Sequence, residues 1–398
     1  MSTAATNAAH AFTPEERRRG MFYLCLAVGA VGFTIAVQMG LNANFFKDDL
    51  GFTARDLGIL EAVRESCGIW ALLLLALLAG VCEPVVGAIM LVVFSVGIGG
   101  YWRAGGFGTI LWVSMIWSQG LHVWMPLPHS MAMALAEPGK TGHRLGQVGA
   151  AGSLGFGLGL VVAYVLDWQG VAMRPMYLVA AAVGILGALA CLRIPRDIST
   201  DKPRFVFRRQ YWRYYLLCFL EGWRKQIFIC FAAYLLVEKF RVELGIMLLL
   251  RIIVRGLGTI TSPRVGKLID RVGERPILFI YYSFLTVFFL GYAMVDDLYV
   301  LSALFIVDNA FFVFGMAINT YVNKLVRPEE RTATLSMGVA MNHLAAVSMP
   351  LVGGFLWMTL GYEWAFVTGA VAGVFSLVAV SFLPKLQELP QAVGSDPV

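Results

Sequence analysis

Charge is scarce in this chain. Asp, Glu, Lys and Arg make up 14% of its 398 residues, about half the share usual in soluble domains. With 59% apolar residues and a mean hydropathy of +0.73, an ordinary solvated fold is excluded. Metal and disulfide chemistry have little to draw on. The six cysteines (Cys25, Cys67, Cys82, Cys191, Cys218 and Cys230) lie in or at the ends of apolar runs without Cys-x-x-Cys spacing, and read as packing residues. There is no nucleotide-binding loop, no metal-ligand cluster and no nucleophile–base constellation, so neither an enzyme nor a cofactor is expected. A secretory signal peptide is also missing: residues 1–20 are polar, and the first apolar run is too long for one and lacks a small-residue cleavage site.

Long apolar runs are what the chain does have. They fall at about 21–45, 57–80, 84–102, 107–136, 144–166, 173–192, 211–237, 243–264, 276–295, 299–323, 334–359 and 364–383. Roughly 18 to 25 apolar residues cross a hydrocarbon core of about 30 Å as a helix. Spanning segments must satisfy their own backbone polar groups as helices or closed barrels, and these runs lack the alternation of barrel strands. The expected fold is an all-α membrane protein with twelve transmembrane helices. Lys and Arg set its orientation. With the N-terminus inside, the inner segments hold 20 basic residues against six outside (Lys47, Arg55, Arg103, Arg174, Lys239 and Arg241). The positive-inside rule then places both termini in the cytoplasm. The net charge of +6 is thereby mostly topological, and a nucleic-acid partner has nothing else to support it.

Between segments eight and nine the chain reads Gly266-Lys-Leu-Ile-Asp270-Arg271-Val-Gly273-Glu-Arg275. The order Gly, three residues, Asp-Arg, Gly and a basic residue resembles the cytoplasmic-loop signature of the major facilitator superfamily of transporters. The resemblance implies two six-helix bundles rocking about a central site. It also implies a gating role for Gly266, Asp270, Arg271, Gly273 and Arg275, which would brace the closed cytoplasmic side. The first half departs from the pattern: Gly80-Val-Cys82-Glu83-Pro84-Val-Val-Gly87 has no Asp-Arg and no basic residue.

One polar stretch divides the chain. The expected plan is a cytoplasmic tail at 1–20, a six-helix bundle at 21–192, a cytoplasmic linker at 193–213, a second bundle at 214–384 and a tail at 385–398. Superposing Gly80 on Gly266 pairs Glu65 with Arg251, Gln38 with Arg224 and His122 with Asp308. Polar intramembrane positions thus meet one another, as lining for a shared cavity would.

Charges inside the apolar runs carry the functional argument. A charge at a helix centre costs roughly 2.5–3.5 kcal/mol on insertion scales, so it faces a cavity or a partner. Arg64, Arg224, Lys225, Arg251 and Arg255 lie there with Glu61, Glu65, Glu221 and Asp308. Glu61, Arg64 and Glu65 share one helical face, as do Glu221, Arg224 and Lys225, and Arg251 with Arg255. Asp308, Asn319 and Asn323 fall on one stripe of segment ten. Glu61 is expected near the outer water, which leaves five cations against three acids. These charges have a structural reading as ion pairs that fix helix packing. The excess of cations favours an anionic substrate.

Among uncharged groups, Gln38 and Asn42 share a face of segment one. His122, Asn309 and the Asn342–His343 pair are further candidates for binding substrate. Trp70, Trp117, Trp124 and Trp223 are candidates for an aromatic wall. Gly146, Gly149, Gly152, Gly155, Gly157 and Gly159 give segment five a smooth surface for close helix contact. Pro350-Leu-Val-Gly353-Gly354 is the nearest match to the Gly-Pro step of drug-extruding family members, and direction of transport stays open.

The expected function is a monomeric permease of the bacterial inner membrane. It would carry a small organic anion or amphipathic solute by alternating access, coupled to protons. Substrate would meet Gln38, Asn42, Arg64, His122, Arg224, Lys225, Arg251, Arg255, Asn309, Asn342 and His343. Glu65, Glu221 and Asp308 would carry protons, since burial favours a neutral carboxyl and a nearby cation the charged form. An uncoupled facilitator and a transporter-derived receptor remain as alternatives. The topology has a direct check. Cysteine-accessibility labelling at Ser199 and Asp296 is expected to show opposite sidedness, and labelling of both from outside would overturn the twelve-helix reading.

Overall fold

A computed structural model describes residues 12–78, 80–199 and 207–383. The expected N-terminal tail up to residue 11, the middle of the linker and the C-terminal tail lie outside the described residues. The described chain is helical, without strands among the described residues. Its helices are α1 (Pro14–Asn44), α2 (Ala54–Leu77), α3 (Glu83–Gly100), α4 (Phe107–Trp124), α5 (Leu127–Ala134), α6 (Thr141–Trp168) and α7 (Met173–Cys191). The second half adds α8 (Trp212–Phe240), α9 (Leu244–Val272), α10 (Glu274–Met294), α11 (Leu298–Phe311), α12 (Met316–Leu325), α13 (Pro328–Leu360) and α14 (Tyr362–Ser381). They form twelve membrane spans in two six-helix bundles.

Two spans are broken. The fourth consists of α4 and α5, parted at Met125–Pro126, where proline offers no N–H to the ladder. The tenth consists of α11 and α12, joined by a tight turn at Phe312–Gly315. That turn shifts the helical phase. Asp308 is fully buried whereas Asn319 and Asn323 are exposed, so the stripe expected from an unbroken helix does not form. Thr13 with Glu16 and Thr53 with Asp56 make reciprocal caps at the starts of α1 and α2.

Nine helical stretches among the described residues are apolar and long enough to cross a membrane. Left out of that set are the short α5 and the longer α2, α4 and α8. The longer three carry Glu61, Arg64, Glu65, His122, Glu221, Arg224 and Lys225. The spans least suited to lipid thus bear seven of the candidate site residues, while Arg251, Arg255 and Asp308 lie on apolar spans.

The segment around Gly266 is not a loop. Helix α9 runs through Gly266, Asp270 and Arg271 and stops at Gly273, whose φ of +88° only glycine adopts without strain. Gly80, with φ +84°, likewise follows α2, so Gly273 rather than Gly266 is its counterpart. Counted from the first residues of α2 and α9, Arg251 falls level with Glu61 and Arg255 with Glu65.

Backbones approach most closely where α1 meets α6. A Cβ on Gly155 would overlap the Gly29 carbonyl oxygen, and one on Gly159 would lie 2.5 Å from that of Phe33. Gly146, Gly149 and Gly157 face open space. The two halves meet along α2 and α13, where a Cβ on Gly58 would overlap the Pro350 carbonyl oxygen. Gly155→Ala is expected to destabilise the protein by about 1–3 kcal/mol through overpacking. Gly157→Ala on the same helix should leave it unchanged or slightly steadier. Thermal unfolding in detergent separates the two, and equal melting temperatures would contradict the α1–α6 contact.

Candidate functional site

A cavity of about 470 Å³ lies between the two halves. Gln38 and Asn42 enter from α1, Glu61, Arg64 and Glu65 from α2, Lys225 from α8, Arg251 from α9 and Asn309 from α11. Trp117, Phe46, Phe228, Phe305 and Phe312 form its aromatic walls. The aromatic wall therefore differs from the expected one: Trp70 is 58% exposed on the outside, Trp124 is buried behind the wall, and Trp223 packs edge-on to Phe219. A second cavity of about 440 Å³ adjoins, sharing Arg251 and Asn309 and adding Arg255.

The halves are fastened on one side of this cavity. Asn44 Nδ2 donates to the Val242 carbonyl at 2.9 Å, Lys47 pairs with Glu238 at 2.9 Å, and the Tyr234 hydroxyl donates to the Phe52 carbonyl at 2.8 Å. All three lie at the end where α1 finishes and α2 begins. No described hydrogen bond or ion pair joins the halves at the opposite end, and Leu77, at the end of α2, is 81% exposed. Asp270 and Arg271 are exposed there, with no described ion pair. Arg275 donates to the Ser381 carbonyl at 2.6 Å, and Lys324 pairs with Glu274 at 2.6 Å. Around Gly266 a side chain would meet nothing within 4 Å. Of the residues expected to gate that end, Asp270 and Arg271 stand open.

Within the first half, Arg64 organises the charge. It pairs with Glu61 and, at 2.6 Å, with Glu65 Oε1, and its guanidinium lies 5.2 Å from the Trp117 ring. Glu61 is thus not a water-facing group; its carboxylate is buried, and Gln226 of the other half donates to it at 3.4 Å. Glu65 Oε2 faces His343 Nδ1 at 3.4 Å and His122 Nε2 at 4.0 Å. Sequence separation hid this cluster, since its members come from α2, α4 and α13.

Arg224 plays the same part in the second half. It pairs with Glu221 at 2.5 Å and Asp308 at 3.7 Å, and donates to the Tyr281 hydroxyl at 2.9 Å. Tyr281 in turn donates to Glu221 at 2.9 Å. Arg224 and Asp308 are both 0% exposed. Arg224, expected to bind substrate, sits behind the cavity wall under the Phe312 ring, 4.6 Å from it. Two carboxylates satisfy it more fully than an exposed cavity position would. Tyr281 gave no signal in the sequence, because one tyrosine in an apolar run has no distinguishing pattern.

Two arginines therefore take all four intramembrane carboxylates. Lys225 has Asn342 Oδ1 at 2.9 Å. Arg251 and Arg255 have no described carboxylate partner; they rest over Phe305 at 5.7 Å and Phe156 at 5.0 Å, and the Nε of each lacks a hydrogen bond. With Glu61 counted, the excess is one positive charge, and the unneutralised cations lie where the two cavities meet.

A sequence model described as Major Facilitator Superfamily matches residues 24–320 and 215–396. Among curated proteins, none matches the sequence significantly. The fold is similar to that of a mutant form of the nucleoside transporter NupG, with a TM-score of 0.75, 16% identity, and coverage of 91% of this chain and 98% of that one. It is also similar to a bacterial homologue of the human lysosomal transporter Spinster in an inward-facing, unoccupied conformation. There the TM-score is 0.71 and the identity 12%, over 93% of this chain and 97% of that one.

Removing Arg224 tests the buried network. Arg224→Gln strands Glu221 and Asp308, and breaking a buried pair in this way costs about 3–5 kcal/mol. Melting temperature and monodispersity should fall, and adding Asp308→Asn should restore part of the loss. Wild-type stability in the single variant would contradict the pairing.

Proposed function

The chain belongs to the major facilitator superfamily, and we propose that it is a secondary-active transporter of a small organic anion. The observation that carries the anionic reading is the pair Arg251 and Arg255, cations at the cavity with no described carboxylate. A cargo carboxylate or phosphate would supply their countercharge, and its apolar body would lie against Phe228, Phe305 and Phe312. Arginine suits the task, since its planar fork meets an oxyanion through two parallel hydrogen bonds.

Alternating access follows from the fastening described above. With both termini cytoplasmic, this is the inward-open state, and closing would bring the ends of α2, α6, α9 and α13 together. Proton coupling rests on carboxyls held near exchangeable partners. Glu65 stands between Arg64 and two histidines, and both oxygens of Asp308 lack a hydrogen-bond donor. Proton uptake by Asp308 would loosen its hold on Arg224. The protein would act as a monomer in the inner membrane.

A second reading has support in the cavity. Gln38, Asn42 and Asn309 place amides beside Trp117 and Phe228, a lining suited to a neutral nucleoside-like solute such as the cargo named for NupG. Matched acids and their amides separate the two in a thermal-shift screen. The acids should stabilise the wild type, and Arg251→Gln should weaken them about ten- to a hundredfold, the worth of a charged hydrogen bond, while amides bind unchanged. Equal effects on both would sink the anionic reading. In proteoliposomes, flux of the acid that does not respond to a pH gradient would select an uncoupled facilitator.

A further inference from the structure

The carboxylate of Glu65 and the rings of His122 and His343 meet at one point in the middle of the molecule. Their ligand atoms all lie within 4.8 Å of one another, and their side chains are 12%, 8% and 15% exposed. Glu65 and His122 belong to the first half and His343 to the second. We infer that these three side chains form a binding site for a divalent transition-metal ion such as Zn²⁺, one that ties the two halves together.

The hydrogen bonds around the cluster orient its lone pairs inward. His122 Nδ1 lies 2.8 Å from the Ser118 carbonyl oxygen. A carbonyl only accepts, so Nδ1 carries the proton and Nε2 turns its lone pair toward Glu65 Oε2, 4.0 Å away. Metal-binding histidines are held in this way, with the second ring nitrogen donating to a backbone carbonyl or carboxylate. Ser118 Oγ donates to the Arg64 carbonyl at 2.9 Å, which fixes the same turn of α4 against α2. Glu65 is oriented as well: Arg64 holds Oε1 at 2.6 Å, leaving Oε2 free to face the histidines.

His343 Nδ1 has no hydrogen-bond partner among the described residues, although it stands 3.4 Å from Glu65 Oε2. Three potential ligand atoms thus converge, and a metal ion would displace any proton shared between Glu65 and the rings. Zinc bound at ~2.0–2.2 Å puts neighbouring ligand atoms ~3.4 Å apart in a tetrahedron. One pair already has that spacing, and the others, 4.0 Å and at most 4.8 Å apart, close on it by small side-chain rotations. The adjoining cavity leaves the fourth position to water. Arg64 and Lys225 oppose a cation here, but Glu61 gives Arg64 a carboxylate of its own.

Space for the site is provided by Gly68. A Cβ there would lie 2.5 Å from His343 Cε1 and 2.7 Å from Nδ1. Any side chain at this position would push the imidazole away from Glu65. The glycine is therefore a second, separate handle on the geometry, because it changes none of the three ligands.

Calorimetric titration of the tag-free, chelator-treated protein with Zn²⁺ at neutral pH tests the site, with Mg²⁺ as control. The wild type should bind one Zn²⁺ per chain with a higher melting temperature, and Mg²⁺ should do neither. His122→Gln, His343→Gln and Gly68→Ala should each weaken Zn²⁺ binding by at least about tenfold. If a histidine variant fails to fold, Gly68→Ala still decides. No saturable Zn²⁺ binding by the wild type would overturn the proposal and leave the cluster to protons. Binding that persists unchanged in the variants would assign the metal to another histidine, such as exposed His129 or His143, and overturn it equally.

Discussion

A charge in hydrocarbon needs a countercharge at contact distance, and the interior of this protein is arranged around that demand. Arg64 draws Glu61 and Glu65 to itself, and Arg224 draws Glu221 and Asp308. Each arginine sits near the middle of its half, on a helix too polar to cross lipid alone. Because the charged faces of α2 and α8 cannot meet acyl chains, those faces must turn to the interior. The cavity is a consequence: the ion-paired faces of α2 and α8 turn inward and meet polar positions on α1, α9 and α11.

Pairing two carboxylates with each arginine has a cost elsewhere. The acids are exhausted, so Lys225, Arg251 and Arg255 must find other neighbours. Lys225 takes an amide, and the two arginines take aromatic faces. Cation–π contacts of this kind are worth about 0.5–2 kcal/mol, less than the roughly 2.5–3.5 kcal/mol that a charge costs at the membrane centre. The deficit is what a bound anion would relieve. Function and packing thus draw on the same set of charges.

Much of this was legible in the sequence, and the limits have physical causes. Twelve spans follow from run length, because helix rise and bilayer thickness leave little freedom. The charged faces of α2, α8 and α9 follow from three- and four-residue spacing. What spacing within one helix cannot convey is which helix stands opposite. Arg224 has Glu221 on its own helix, but nothing along the chain shows that Asp308 and Tyr281 also enclose it. Glu61 was misplaced because depth was judged from segment ends rather than from its partner Arg64. The stripe through Asn319 and Asn323 failed because Phe312–Gly315 is apolar and carries no sign of its tight turn. Gly266 carried no sign that its helix runs on, and only the backbone at Gly273 shows where it stops.

The account stands or falls on whether the cavity changes sides. The fastening of Asn44, Lys47 and Tyr234 to the second half holds one end shut, and on the proposed mechanism that end opens as the opposite end closes. Spin labels at positions 143 and 267, in a chain stripped of its native cysteines, report that end by pulsed dipolar spectroscopy. A second pair at 48 and 243 reports the other. A ligand that the protein transports should shorten the first distance while lengthening the second, in one correlated shift. Distances that stay fixed in both pairs, with ligand bound and flux demonstrated, would contradict alternating access about this site.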